Sequence, residues 1–164
     1  MGNLERLIET EAVCIYSPKY DGEELNEFEK FLENNHDQPQ QQLQDFFGAI
    51  LSAIEKIMEV GARENLFRGE GGGVKALPGY LYSPRVNRRI GKMRLYCLRL
   101  STQLLVFGNG GVTTKQKLGE DPLMLAFVGD LRDIERHIRL LARRTNTDYD
   151  DLVSMKQILE AITL

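Results

Sequence analysis

Apolar positions along this chain change period near Gly61, from three- and four-residue steps before it to strand-like runs after it. A short apolar run, Ala12 to Tyr16, predicts a first strand, closed by Ser17, Pro18 and the turn-like Asp21-Gly22. Leu25, Phe28 and Leu32 then recur at helical spacing and predict a helix ending near Asn34. A second, longer helix is predicted from Pro39, which suits a first helical turn. Its apolar stripe is Leu43, Phe46, Phe47, Ile50, Leu51, Ile54, Ile57 and Met58, and Gly61 is its natural stop.

Beyond Gly61 the pattern shortens. Gly69 to Gly73 reads as a flexible turn, Val74 to Leu77 as a short strand, and Gly79 to Gly91 as a loop rich in Tyr, Pro and Arg. Met93 to Leu100 and Gln103 to Phe107 predict a tight hairpin turning at Ser101-Thr102, with Gly108-Asn109-Gly110-Gly111 ending its second strand. A third helix is predicted from Asp121-Pro122, carrying Leu125, Val128, Leu131, Ile134, Ile138 and Leu141 on one stripe. Asp148 to Asp151 sit where acids favour a helix start, and Leu152, Met155, Ile158, Leu159 and Ile162 follow as the face of a fourth helix. The expectation is an α+β chain in three parts: an N-terminal extension over residues 1–11, a domain over 12–145 and a C-terminal amphipathic helical extension over 146–164.

At 164 residues, 42% hydrophobic and 27% charged, the chain can bury a core of its own and is not composed like a disordered segment. No run of roughly 20 apolar residues offers a membrane span. Glu5, Glu9 and Glu11 do not suit a signal peptide, so the expected location is the cytoplasm. Cys14 and Cys97 lie within apolar runs and not at metal-ligand spacing, which favours buried thiols, though sequence alone leaves their pairing open.

Charge alters the picture more than composition does. Residues 1–60 hold 13 acidic and 4 basic side chains, residues 61–118 hold 2 and 11, and residues 119–164 hold 9 and 6. A net charge of −3 therefore conceals a basic middle third in which Glu64 and Glu70 are the only acids. Such a segment could face a polyanion, or its charges could be neutralised by acidic helices packed beside it. Candidate polyanion contacts are Arg85, Arg88, Arg89 and Lys92, with Lys117 further on. Tyr80, Tyr82 and Tyr96 could stack bases, but the apolar neighbours of Tyr96 favour core packing.

The predicted order of one strand, two helices, a run of strands and a helix, with Arg94-Leu95-Tyr96-Cys97-Leu98-Arg99-Leu100 on the penultimate strand, resembles the RelE/ParE/HigB superfamily of bacterial toxins. Val74-Lys75-Ala76-Leu77 is similar to the lysine and leucine those toxins carry before a basic loop. Arg94 and Leu104-Leu105-Val106-Phe107 are similar to their arginine-bearing strand and apolar hairpin. Gly111-Val112-Thr113-Thr114-Lys115-Gln116-Lys117 is similar to the basic run before their last helix. The resemblance implies a small antiparallel sheet backed by helices (β-α-α-β-β-β-α plus the extra C-terminal helix), presenting a basic concave face that cleaves messenger RNA on the ribosome. It implies Arg94 for phosphate stabilisation, Lys75 and Lys115 as further phosphate contacts or acid-base groups, and an antitoxin protein as partner. Such cleavage activates a 2′-hydroxyl, stabilises phosphate charge and protonates a leaving oxygen. A lysine serves the first step only with a lowered pKa. A non-catalytic interaction module of the same fold is the alternative, and a gyrase inhibitor the third reading.

The chain departs from the family in being net acidic and in lacking an assignable catalytic residue near its end: His137 reads as helix surface and Tyr149 as tail packing. The C-terminal helix could cover the core, join two copies into a homodimer or imitate an antitoxin segment, and covering the core is the simplest role. No cofactor and no metal are expected. Gly108 to Thr114 lacks the endings of a P-loop or a dinucleotide motif, and Asp148 to Asp151 lacks the glycine and glutamate of a calcium loop.

Overall fold

The computed structural model describes all 164 residues. It is α+β, with a six-stranded sheet and four helices. The strands are β1 (Gly2–Glu9), β2 (Cys14–Tyr20), β3 (Arg68–Gly69), β4 (Val74–Leu77), β5 (Lys92–Ser101) and β6 (Leu104–Thr113). The helices are α1 (Glu27–Asn35), α2 (Gln41–Val60), α3 (Pro122–Arg144) and α4 (Leu152–Ala161). No helix is long and apolar enough to cross a membrane.

The sheet order is β1-β2-β6-β5-β4-β3, and it is mixed: β2 runs parallel to β6, and every other neighbouring pair is antiparallel. From β2 to α3 the chain follows the order read from the sequence, with the two-residue β3 added. The N-terminal extension contains β1, which pairs along β2, so these residues form an edge of the sheet. Ser17 does not close the first strand. It is buried within β2, donating to the Phe107 carbonyl at 2.7 Å and accepting from the Phe28 N–H at 3.0 Å, so one hydroxyl joins β2, β6 and α1.

Helices cover both faces of the sheet. On one, Phe31 of α1 and Phe46, Ile50, Ile54 and Ile57 of α2 pack against Ile15, Leu95, Cys97, Leu105 and Phe107. On the other, Met124, Val128, Leu131, Ile134 and Ile138 of α3 and Met155, Ile158 and Leu159 of α4 pack against Tyr16, Val74, Tyr96, Leu98 and Val106. Strands buried on both sides read as continuous apolar runs, which is why β5 and β6 show no alternation. The C-terminal helix therefore covers the core, and Tyr149 packs against the same cluster. The expected open concave face is absent here, because the side chains that would form it are apolar and lie beneath α3 and α4. Both cysteines are buried free thiols.

The glycine run does not end β6. The strand continues through Gly108-Asn109-Gly110-Gly111 to Thr113, pairing Gly111 with Arg94 and Gly110 with Leu95, with a register shift between Leu95 and Cys97. A Cβ on Gly110 would collide with the Arg94 carbonyl, so the glycine is required by close approach of the strands and not by a turn.

Candidate functional site

The basic residues gather where β5 begins, β6 ends and α3 starts. A cleft of about 180 Å³ there is lined by Arg68, Gly69, Glu70, Tyr80, Lys92, Arg94, Tyr96, Thr113, Lys115, Gln116, Lys117, Leu118, Asp121 and Met124. Five of these side chains are cationic and two are carboxylates. A second lobe of about 240 Å³ shares Arg68, Lys92, Arg94, Thr113, Lys115 and Gln116 with the first, and adds Arg88 and Ser83.

Each wall is positioned by a local feature of the chain. Arg94 and Lys92 stand at the start of β5, and Thr113 closes β6 opposite Lys92. Arg68 and Glu70 come from the β3–β4 hairpin, which α3 holds from outside: Arg132 Nη2 donates to the Glu70 carbonyl at 3.0 Å, and the Gly73 N–H donates to Glu135 Oε2 at 2.9 Å. Tyr80 opens a 3-10 turn over Tyr80–Tyr82. Gly79 before it lies against the Leu66 backbone, where an added Cβ would stand 2.6 Å from the Leu66 carbonyl oxygen. Asp121 caps α3, accepting from the Leu123 and Met124 N–H groups at 3.2 Å each.

Arg94 is the centre of the site. It is only 3% exposed, its Nη1 donates to the Met93 carbonyl at 3.1 Å, and its guanidinium carbon lies 5.6 Å from the Phe46 ring centroid. None of Arg68, Lys92 and Arg94 forms an ion pair. Arg68 sets its guanidinium 4.1 Å from the Tyr80 ring centroid, and its buried Nε has no hydrogen-bond partner. Burial, with the charge of Arg68 beside it, pushes the Arg94 guanidinium down to about 10, so it stays charged at neutrality. Lys92 is also lowered, by burial first and then by Arg94 and Arg68. Burial raises the Glu70 carboxyl although Arg68, Arg94, Lys92 and Arg132 all pull it down. Asp121 is lowered, chiefly by the Thr113 hydroxyl and then by its capped N–H groups.

Partly buried cations without counter-ions carry an electrostatic penalty that a bound anion relieves, and paired guanidinium groups match the geometry of a phosphate. Glu70 and Lys92 thus bring into one cleft a carboxyl held above its ordinary value and an amine held below its own, the directions that favour a proton acceptor and a proton donor respectively.

Of the sequence-predicted residues, Arg94, Lys92, Lys115 and Lys117 meet in the first lobe, and Arg88 lines the second, with its guanidinium against the Gln116 carboxamide. Arg85 and Arg89 are exposed on the loop and line neither lobe. Lys75 is not in the cleft. It sits on β4 opposite Cys97, two residues before Leu77, and so on the α1/α2 side of the sheet, away from Tyr96 and Met124. Tyr96 is both core and cleft wall, 3% exposed against α3. His137 is exposed on α3. Sequence reasoning missed Arg68 and Glu70 as site residues, although the rarity of acids in the basic segment marked Glu70.

Fold and site together define an α+β domain with a basic cleft at one end of its sheet. No protein-family model, no curated protein and no solved structure matches the chain.

Proposed function

We propose that this protein is an endoribonuclease of the type II toxin class its sequence resembles, acting in the cytoplasm on messenger RNA at the ribosome and held in check by an antitoxin protein. The observation that carries this reading is Arg94, nearly inaccessible and without an ion pair, beside Lys92 and Arg68 in a cleft that also holds Glu70, a carboxyl raised above the usual range by burial. Glu70 takes the proton of the 2′-hydroxyl as its oxygen bonds to phosphorus. Arg94 and Arg68 stabilise the added negative charge. The bond from phosphorus to the 5′-oxygen breaks, leaving a 2′,3′-cyclic phosphate, and Lys92 protonates the departing oxygen. The low position of Lys92 suits that last step, and the exposed Lys115 and Lys117 add backbone contacts.

A second reading, the non-catalytic interaction module, is favoured by a different observation. Leu81, Tyr82 and Val86 expose 79%, 49% and 46% of their surface on one loop beside the cleft, a concentration of apolar side chains that suits a protein partner. Induction of the chain in bacteria separates the two readings. Growth arrest with ribosome-dependent transcript cleavage, lost in folded Glu70→Gln and Lys92→Gln variants, is the expected result. Normal growth and intact transcripts with a soluble, folded wild type would remove the catalytic reading and leave the interaction module.

A further inference from the structure

We infer that Tyr80 is a stacking platform for an unpaired base, so that the cleft takes single-stranded RNA and not a duplex. This rests on reading the cleft as an RNA site and names the form of RNA it accepts. Tyr80 lines the first lobe, yet its residue is 70% exposed, an unusual state for an aromatic ring at the wall of a cleft. The Arg68 guanidinium carbon lies 4.1 Å from the ring centroid, and with 70% of the residue exposed the ring keeps surface open to a flat partner that can stack on it. Gly79, tight against the Leu66 backbone, fixes the turn from which the ring projects.

The two lobes supply the rest of the geometry. They share Arg68, Lys92 and Arg94, with Tyr80 only in the first and Arg88 only in the second. A strand whose backbone crosses the shared cations puts one phosphate toward each lobe and brings the base beside the first phosphate to Tyr80. In a duplex both faces of that base are occupied by its neighbours, and an A-form helix presents phosphates and 2′-hydroxyls but no free base face. A base therefore reaches Tyr80 only when the strand is unpaired. Stacking of this kind tolerates any base, so the platform selects for single-strandedness and leaves sequence preference to other contacts.

The test is fluorescence anisotropy with a short, labelled, 2′-O-methylated oligoribonucleotide, which cannot be cleaved by attack of its own 2′-oxygen, and with the same strand in a perfect duplex. Wild-type protein is expected to bind the single strand more tightly than the duplex. Tyr80→Ala should weaken single-strand binding about tenfold or more, and Tyr80→Phe, which keeps the ring, should retain it. The dependence of log affinity on log salt separates stacking from charge. Its slope is unchanged in Tyr80→Ala, because no phosphate contact is lost, and falls by about 0.7 in Lys115→Ala. Equal binding of single strand and duplex, wild-type affinity in Tyr80→Ala, or loss in Tyr80→Phe equal to that in Tyr80→Ala would each overturn the platform while leaving the cleft as an RNA site. Failure of the wild type to bind either RNA would overturn the platform, while transcript cleavage on induction decides separately whether the chain is a ribosome-dependent nuclease.

Discussion

At the scale of the residue, the titration of Glu70 ties the cleft to a measurable property of the fold. Burial raises its carboxyl above the usual range despite four nearby cations, so the folded chain holds that proton more tightly than the unfolded chain does. The stabilisation this brings is complete below the ordinary carboxylate pKa and is lost as pH rises through the raised value, because ionisation is then easier in the unfolded state. Glu70→Gln imitates the protonated group and escapes that loss. Urea unfolding midpoints of wild type and variant are expected to lie close together in acid and to separate, in favour of the variant, toward neutrality. Parallel midpoints across that range would show a carboxyl that titrates as if exposed. Side-chain type alone could not rank the cations around Glu70. Lys75 and Arg68 are both basic residues within strands, yet the two-residue period sends Lys75 to the α1/α2 face while Arg68, paired with Ala76, lines the cleft.

At the scale of the element, the same residue type plays opposite parts in two places. Gly110 is pressed against the Arg94 carbonyl across the β5–β6 ladder, whereas nothing lies within 4 Å of a Cβ placed on Gly129 in α3. Gly110→Ala forces the strands apart at Arg94 and is expected to destabilise the fold by about 1–3 kcal/mol or more. Gly129→Ala gains helix propensity in an interior turn and is expected to stabilise it by about 1 kcal/mol. Thermal melting of the two variants checks both signs, and a harmless Gly110→Ala would mean that β6 ends before it. The helices were legible because their stripes repeat over several turns: most of the apolar series from Leu43 to Ile57 in α2 and from Val128 to Ile138 in α3 is buried as its spacing demands, but Leu51 and Leu125, expected on those stripes, are exposed at the stripe edges, and Met124 is buried beside Leu125. β1 was not, since Leu4, Leu7 and Ile8 do not alternate and the strand needs a register shift between Arg6 and Ile8 to pair.

At the scale of the whole molecule, the termini close the structure. The Leu164 N–H donates to the Gly2 carbonyl at 2.8 Å, Arg6 pairs with Glu160, and Lys156 with Glu9, so β1 and α4 hold each other at one edge of the sheet. These exposed pairs add little alone, and the larger contribution is the burial of Met155, Ile158, Leu159 and Ile162 beneath α4. Removing an aliphatic side chain from such a core costs about 2–5 kcal/mol, and four together exceed most of the roughly 5–15 kcal/mol that stabilises a domain. A chain ending at residue 151 is therefore expected to lose cooperative thermal unfolding. A folded, monomeric truncation would instead make α4 a dispensable cover. The basic cleft sits on a molecule of net charge −3, so its positive potential is local and short in range.

The sequence by itself determined the α+β class, the four helices with their buried stripes, and the apolar runs of β4, β5 and β6, because each depends on spacing within a few residues. It also marked a basic middle segment with Arg94 in it. Only the tertiary structure decided which of those charges meet. Arg68 and Glu70 reach Arg94 through a hairpin docked on α3, and Lys117 and Asp121 through the exit of β6, while Lys75, Arg85 and Arg89 are left outside. Contacts between residues distant in the chain leave no period to read, and they depend on which strands pair. The parallel junction of β2 with β6 and the helical cover on both faces are settled by that pairing, and together they place the basic cleft at the end of the sheet and not on its face.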